Sequence, residues 1–184
     1  ILYKKLYSIF HDSRILSGKH RAIEGIEHVS DIIHIDQSAI GRTSRSNPVT
    51  YIGVYDSIRK LFAATEDAQA RGFTASRFSF NVKGGRCEDC QGAGVKKLDL
   101  AVLSDVYAKC STCEGKRYNR DTLTIKYKGL NIHEVLELSI AEAANFFRQI
   151  PDIYSRLMLA CEVGVSYLSL GQAANSISGG EHQR

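Results

Sequence analysis

Two pairs of cysteines constrain this chain more than any other feature. Cys87 and Cys90 form one Cys-x-x-Cys pair, and after nineteen intervening residues Cys110 and Cys113 form a second. A two-residue gap lets both sulfurs of a pair reach one ion, and two pairs supply the four thiolates of a closed tetrahedral zinc site. The spacing therefore predicts one structural Zn²⁺ ion, with no open coordination position for catalysis.

Glycines and basic residues surround these cysteines. Gly92, Gly94 and Gly115 follow the pairs and permit the tight turns that zinc knuckles need. Residues 95–106, which lie between the pairs, predict a strand or a hairpin. The basic side chains around the pairs are candidate phosphate contacts: Lys83, Arg86, Lys96, Lys97, Lys109, Lys116, Arg117 and Arg120.

Other uses of the cysteines are less favoured by the pattern. Redox dithiols usually carry a single Cys-x-x-Cys motif at the start of a helix. Five cysteines without a secretory signal favour a reducing compartment, where disulfides are rare. Cys161 falls on an apolar helical face, and we interpret it as a small buried hydrophobic residue.

Composition and charge set wider bounds. Hydrophobic residues make up 43% and charged residues 24% of the chain, which is ordinary for a soluble globular protein. No apolar run approaches the roughly 18 residues of a membrane helix. The net charge is +4, with the basic excess in the first two thirds and an acidic excess in the last third. This balance permits polyanion binding without proving it.

Hydrophobic periodicity predicts strands in the first two thirds of the chain. Residues 32–35 are expected to form a short buried strand, and residues 77–82 and 122–127 alternate with a period of two. Asp56 is expected to cap a helix that runs to about Gln69.

The last third has a helical period. Asn131 with Glu134, and Ser139 with Glu142, fit the capping-box pattern. The second box begins a helix that Pro151 breaks, and a further helix ends near Gly164. The apolar faces of these two helices carry Ile140, Ala143, Ala144, Phe147, Ile153, Leu157, Ala160 and Cys161.

A second motif lies at residues 170–184. Ser178 can cap a helix with Glu181 closing a capping box, and Gly179 and Gly180 let backbone approach a ligand. The longer string resembles the signature motif of ABC-type ATPases, which contacts ATP bound to the opposite nucleotide-binding domain. The chain has no Walker A loop, because His20 stands where a Ser or Thr must follow the lysine, and it has no Walker B run.

Residues 36–48, 78–87, 105–119 and 171–181 together are similar to the UvrA family of bacterial excinuclease proteins. The resemblance covers nearly the whole chain and places it in the second ATPase half, from just after Walker A to just past the signature. It implies an α/β fold with α+β character: a partial ABC-type ATPase domain with a helical signature subdomain and an inserted four-cysteine zinc module.

The resemblance also implies a domain division and a function. Residues 1–82 would hold part of the ATPase core with the Q-loop, residues 83–120 the zinc module, and residues 121–184 the signature subdomain. The family recognises DNA damage in nucleotide excision repair, within the SOS response of the bacterial cytoplasm. It acts on double-stranded DNA as an ATP- and Mg²⁺-dependent homodimer that loads the partner protein UvrB.

Residue roles carried over by position follow. Gln37 would be the catalytic and nucleotide-sensing glutamine of the Q-loop, and Ser178, Gly179, Gly180 and Glu181 would contact ATP. Charge and position suggest a set of DNA contacts: Arg42, Arg45, Lys83, Arg86, Lys116 and Arg117. Without Walker A and Walker B, this chain alone is expected not to hydrolyse ATP.

Two alternatives stay open on sequence alone. The chain could be a non-enzymatic zinc module that binds nucleic acid or a protein, as Cys-x-x-Cys-x-Gly-x-Gly knuckles do in chaperones. It could also be a thiol oxidoreductase, which requires zinc-free reactive cysteines.

Overall fold

The computed structural model describes residues 1–33, 45–98 and 106–184. The chain divides into two compact units, of which residues 1–37 form most of the first and residues 38–182 most of the second. In the first unit, helix α1 (Leu2–Phe10) buries Leu6, and Ile26–His28 form a 3-10 turn. Of the strand predicted at residues 32–35, the described part, Ile32 and Ile33, is not in a strand.

The second unit is built from short helices and two small hairpins. Its helices are α2 (Pro48–Tyr51), α3 (Tyr55–Ala63), α4 (Glu66–Ala70), α5 (Arg120–Leu123), α6 (Ile132–Glu137), α7 (Ile140–Phe146), α8 (Pro151–Glu162) and α9 (Gly179–Gln183), with 3-10 turns at Ala75–Phe78 and Ala174–Ser176. Its strands are β1 (Val95–Leu98), β2 (Val106–Lys109), β3 (Lys126–Tyr127) and β4 (Leu130–Asn131).

Both hairpins are antiparallel. β1 pairs with β2 so that Lys97 lies opposite Tyr107. Of the strand or hairpin predicted for residues 95–106, the structure has the antiparallel pair, whose second strand runs on to Lys109. β3 and β4 are joined by Lys128 and Gly129, both with positive φ, as the tightest hairpin turns require. Helices and small sheets in one chain confirm the predicted mixed α and β character. Among the described residues, no helix combines the length and apolarity needed to cross a membrane.

The hydrophobic core lies between the helices. α7 packs on α8, and α3 contacts α8 and the Ala75–Phe78 turn. Both predicted capping boxes form, at Asn131 and at Ser139, and Pro151 starts α8 at a position where its missing N–H costs nothing. The residues predicted on the apolar faces of α7 and α8 are buried, with Cys161 half-buried at the edge.

The strand predicted at residues 77–82 is wrong. The segment forms a 3-10 turn followed by turn and bend residues, with Phe78 and Phe80 both buried in the core. The hydroxyl of Tyr55 donates to the Phe78 carbonyl at 2.9 Å and accepts from the Phe80 N–H at 3.1 Å. A side chain therefore satisfies the backbone groups that a neighbouring strand would have paired.

Two further boundaries differ from the prediction. The helix predicted from Asp56 to about Gln69 is split into α3 and α4, because Thr65 caps a new helix, and Asp56 lies inside the first turn of α3 rather than at its cap. The strand predicted at residues 122–127 begins as helix α5, since Asn119 accepts from the Thr122 N–H at 3.0 Å and starts a helical turn. Only Lys126–Tyr127 remain extended.

Candidate functional site

The four paired cysteines meet at one point. Their Sγ atoms all lie within 4.8 Å of one another, and each cysteine is at most 7% exposed. Cys87 and Cys110 are 4.0 Å apart at sulfur, and Cys90 and Cys113 are 3.7 Å apart. Four sulfurs at about 2.3 Å from a central ion would be spaced by about 3.8 Å. The cluster therefore matches the tetrahedral site that the spacing predicted, and it can hold a metal ion.

All five cysteines are free thiols in this structure. The sulfur separations are close to twice the length of a disulfide bond, so the cluster is not a pair of disulfides. Cys161 lies outside the cluster.

The thiols differ in how easily they ionise. Burial raises the pKa of Cys90, and it raises the pKa of Cys113 to about 12, because a buried thiolate loses its hydration. At Cys110 burial acts in the same direction, but N–H donors from Cys113 and Thr112 outweigh it and lower the pKa. The raised pKa values of Cys90 and Cys113 are the opposite of what a reactive dithiol needs, because the thiolate is the nucleophile.

Backbone contacts join the two knuckles to each other and to the core. The Gly94 N–H lies 3.3 Å from the Cys90 sulfur, and the Gly94 carbonyl accepts from the Cys110 N–H at 2.9 Å. The predicted tight turns are present, since Gly92, Gly94 and Gly115 all have positive φ. A Cβ atom on Gly92 would lie 1.8 Å from the Phe80 carbonyl oxygen, so this glycine brings the first knuckle directly against the core.

Asp89, inside the first pair, connects three parts of the cluster. Its carboxylate accepts from Thr112 Oγ1 and from Lys96 Nζ, both at 2.6 Å, and lies 3.3 Å from the Cys110 sulfur. The Lys96 ammonium, followed by the Thr112 hydroxyl, lowers the pKa of Asp89 to about 2. One carboxylate thus ties the first knuckle to the second knuckle and to β1.

Asp89→Ala is expected to weaken zinc binding by about 10-fold or more, because outer groups that orient metal ligands typically contribute 10- to 100-fold to affinity. Competition with a chromophoric chelator measures this. Glu88→Ala is the matched control, since Glu88 is the neighbouring acid and forms an ion pair with Arg86. Equal affinities for the two variants would show that Asp89 does not organise the site.

Arg117 joins the cysteine cluster to the predicted signature segment. Its carbonyl accepts from the Cys87 N–H at 2.8 Å, and its guanidinium lies over the Phe80 ring, 5.3 Å from the centroid. Nη2 donates to the Gly171 carbonyl at 3.0 Å. Burial lowers the pKa of Arg117. The sequence suggested a phosphate contact here, whereas the structure places the guanidinium between the core and the signature segment.

The signature segment has the local structure that its sequence predicted. Ser178 caps α9, accepting from the Glu181 N–H at 3.4 Å, while the Glu181 carboxylate accepts from the Ser178 N–H at 2.7 Å. The Tyr167 hydroxyl donates to the other carboxylate oxygen of Glu181. Gly179 and Gly180 have open space around their α-carbons, so their backbone can be approached closely.

The described end of the predicted Q-loop segment, residues 45–48, contacts both features. Arg45 donates to the Gln91 carbonyl of the first knuckle at 3.0 Å, and the Ser46 carbonyl accepts from the Ala174 N–H at 2.8 Å. Gln37 and Arg42 lie outside the described residues.

The remaining candidate DNA contacts differ in their exposure and in their ion pairs. Lys83 is exposed. Lys116 pairs with Glu114 at 2.7 Å, and Arg86 pairs with Glu88 and keeps only 10% of its side chain exposed. Of this set, Lys83 and Lys116 are the side chains best placed to reach a ligand from the surface.

The sequence interpretation missed Asp89, and it named Arg117 without foreseeing its inward contacts. Asp89 could have been noticed because it lies between two ligands, where a carboxylate can orient the metal site. The inward role of Arg117 had no local signal, because its partners Phe80 and Gly171 are far away along the chain.

The chain is similar over its whole length to several curated proteins called UvrABC system protein A. It is 54% identical to that of Oceanobacillus iheyensis, 53% to that of Clostridium perfringens and 52% to that of Micrococcus luteus, each over 184 residues. It covers 19%, 20% and 18% of these proteins respectively, and so spans about a fifth of their length. No family model matches the chain.

A solved structure agrees with these relatives. The crystal structure of UvrA2 from Deinococcus radiodurans is 54% identical and superposes with a TM-score of 0.79, covering 81% of this chain and 18% of that one. The sequence comparison and the structural comparison therefore both find UvrA proteins as relatives of this chain.

Proposed function

The chain belongs to the family of UvrABC system protein A, of which it spans about a fifth, and we propose that it is part of a DNA-binding ATPase for damage recognition in nucleotide excision repair. One observation carries the proposal beyond sequence similarity. The four-thiol cluster and the Ser178-capped segment are joined within one unit by the contact of Arg117 with the Gly171 carbonyl. A generic zinc module would not need that connection.

In this proposal the signature segment acts on nucleotide. Ser178, Gly179, Gly180 and Glu181 contact ATP held by the opposite protomer of a homodimer, and Gln37 senses Mg²⁺ and the attacking water. The capped Ser178 and the open backbone of Gly179 and Gly180 support this role.

The cysteine cluster has a structural role in the proposal. Cys87, Cys90, Cys110 and Cys113 hold one Zn²⁺ ion, which closes both knuckles and leaves no ligand position for chemistry. Residues 83–120 form the zinc module, between a partial ATPase core at 1–82 and a signature subdomain at 121–184. Double-stranded and damaged DNA, a UvrB-type partner and a cytoplasmic location belong to the same proposal.

DNA binding by the zinc-loaded chain is the direct test, and affinity is expected to fall about 10- to 40-fold between about 50 and 200 mM salt if two or three phosphates are contacted. Fluorescence anisotropy with a labelled duplex measures it. Lys83→Gln should reduce the salt dependence by about one contact. Lys60→Gln, at an exposed position on α3 outside the candidate set, should leave it unchanged. A salt-independent affinity, or no binding at all, would contradict the proposal.

A further inference from the structure

Tyr167 is an exposed aromatic residue on a firmly held loop between α8 and the signature segment. Its side chain is 61% exposed, so the ring contributes little to the core. The backbone on both sides of it is bonded to the start of α7. The Ser166 carbonyl accepts from the Ala141 N–H at 3.0 Å, and the Leu168 carbonyl accepts from the Ile140 N–H at 2.9 Å. The fold therefore fixes the place of a tyrosine whose burial stabilises little.

The hydroxyl of Tyr167 contacts the signature segment through Glu181. It donates to one oxygen of the Glu181 carboxylate, while the other oxygen accepts from the Ser178 N–H at 2.7 Å and so closes the capping box. The carboxylate raises the pKa of Tyr167, because loss of the phenol proton would remove this bond and place two negative charges side by side. At neutral pH the hydroxyl therefore remains a donor to Glu181.

Helix α9 depends on contacts of this kind. It has only five residues, Gly179–Gln183, and it begins with two glycines. A helix this short is unstable by itself in water, and glycine weakens a helix further because its backbone loses the most freedom on ordering. A second, longer contact reaches the same loop, since Nη1 of Arg184 lies 3.5 Å from the Gly164 carbonyl. The loop that carries Tyr167 thus supports α9 near both of its ends.

We propose that Tyr167 is a positioning residue for the signature segment. By holding the Glu181 carboxylate it fixes the capping box, and with it the direction in which the Ser178 side chain and the N–H groups of Gly179 and Gly180 face. The inference rests on the proposed contact of this segment with nucleotide and adds a residue outside the motif itself. Tyr167 does not touch the nucleotide and acts through Glu181.

Tyr167→Phe tests this, because it removes the donor and keeps the ring. Amide hydrogen exchange of the zinc-loaded chain, followed by NMR, is expected to become about 2- to 10-fold faster at the N–H groups of Ser178 and Glu181, the range for loss of one hydrogen bond. Tyr107→Phe is the matched control. It removes the hydroxyl of another exposed tyrosine, 56% accessible on β2, and should leave both rates unchanged.

A double-mutant cycle shows whether the effect passes through the carboxylate. Glu181→Ala removes the acceptor of the Tyr167 hydroxyl, so adding Tyr167→Phe to it should change the exchange of the Gly180 N–H no further. A residue that merely stabilised the loop would make the two losses add, because changes at independent sites are additive. Additive losses would therefore overturn the positioning role.

Titration with MgATP separates this inference from the proposed function. Millimolar MgATP, supplied free because the chain has no Walker A loop, should shift the amide signals of Gly179 and Gly180 in the wild type. Tyr167→Phe should need about 2- to 10-fold more nucleotide for the same shift. Equal titrations of the two proteins overturn the positioning role and leave the nucleotide contact standing. No shift in the wild type overturns the nucleotide contact, and this inference with it.

Discussion

Removal of zinc is expected to unfold the described parts of the cysteine module, residues 87–98 and 106–113, while the helical core stays folded. The four cysteines form a hydrophobic cluster of their own, with only Ala93 packed against it among the described residues, so little apolar burial remains once the metal is lost. Structural zinc sites contribute roughly 10–16 kcal/mol of binding free energy, which couples directly to folding of the module. The main core, which contains Ile58, Ile132 and Leu157, does not depend on these thiols.

Elemental analysis and hydrogen exchange together measure this effect. The wild type should bind one zinc ion per chain, and Cys110→Ser should lose most of that zinc and all slow exchange in the hairpin. Cys161→Ser is the matched control, because Cys161 lies outside the cluster, and it should keep both. Normal zinc content in Cys110→Ser, or a cooperative loss of the whole helical core on chelation, would contradict the expectation.

Gly92→Ala is expected to destabilise the chain by about 3 kcal/mol or more, at the upper end of what overpacking causes. A Cβ atom at this position would lie 1.8 Å from the Phe80 carbonyl oxygen and 2.8 Å from its carbon. Both are backbone atoms, so no side-chain rotation can relieve the overlap. Either the first knuckle moves away from the core or Phe80 leaves its buried position.

Gly129→Ala is the control that distinguishes the cost of this steric overlap from the cost of placing alanine at a positive φ. Gly129 has a φ of 86° against 81° for Gly92, but its surroundings are open. The control should therefore cost only about 1–2 kcal/mol, the ordinary penalty of a left-handed residue. Denaturant unfolding at fixed zinc concentration gives both values. Similar losses in the two variants would mean that backbone preference, rather than contact with Phe80, dominates at Gly92.

The features that were predicted correctly from the sequence are those that depend on residues close together along the chain. The cysteine pairs and the capping boxes at Asn131, Ser139 and Ser178 each depend on residues at most three positions apart, and all formed. The sequence also predicted that the two cysteine pairs come together. This prediction needed no knowledge of the fold, because a closed tetrahedral site requires four ligands and each pair supplies two.

The parts that failed depend on distant partners. The alternation of residue types at residues 77–82 predicted a strand, but Phe78, Ser79 and Phe80 are all buried and the segment is not a strand. The Tyr55 hydroxyl, more than twenty residues away in sequence, supplies the hydrogen bonds instead. The inward contacts of Arg117 could not be predicted for the same reason, since charge alone gives no sign that a guanidinium reaches a distant carbonyl.

The position of Arg117 limits how this module can be exchanged between proteins. Its backbone carbonyl accepts from the Cys87 N–H, its guanidinium lies over the Phe80 ring, and the same guanidinium donates to the Gly171 carbonyl. Three separate stretches of chain therefore meet at one residue. A chimaera that received a foreign module with identical cysteine spacing, but without this arginine, would load its metal normally and leave the Gly171 carbonyl without its guanidinium donor. Recombination that preserves the chain's internal connection must therefore transfer residues 80–117 as one block, together with the segment around Gly171.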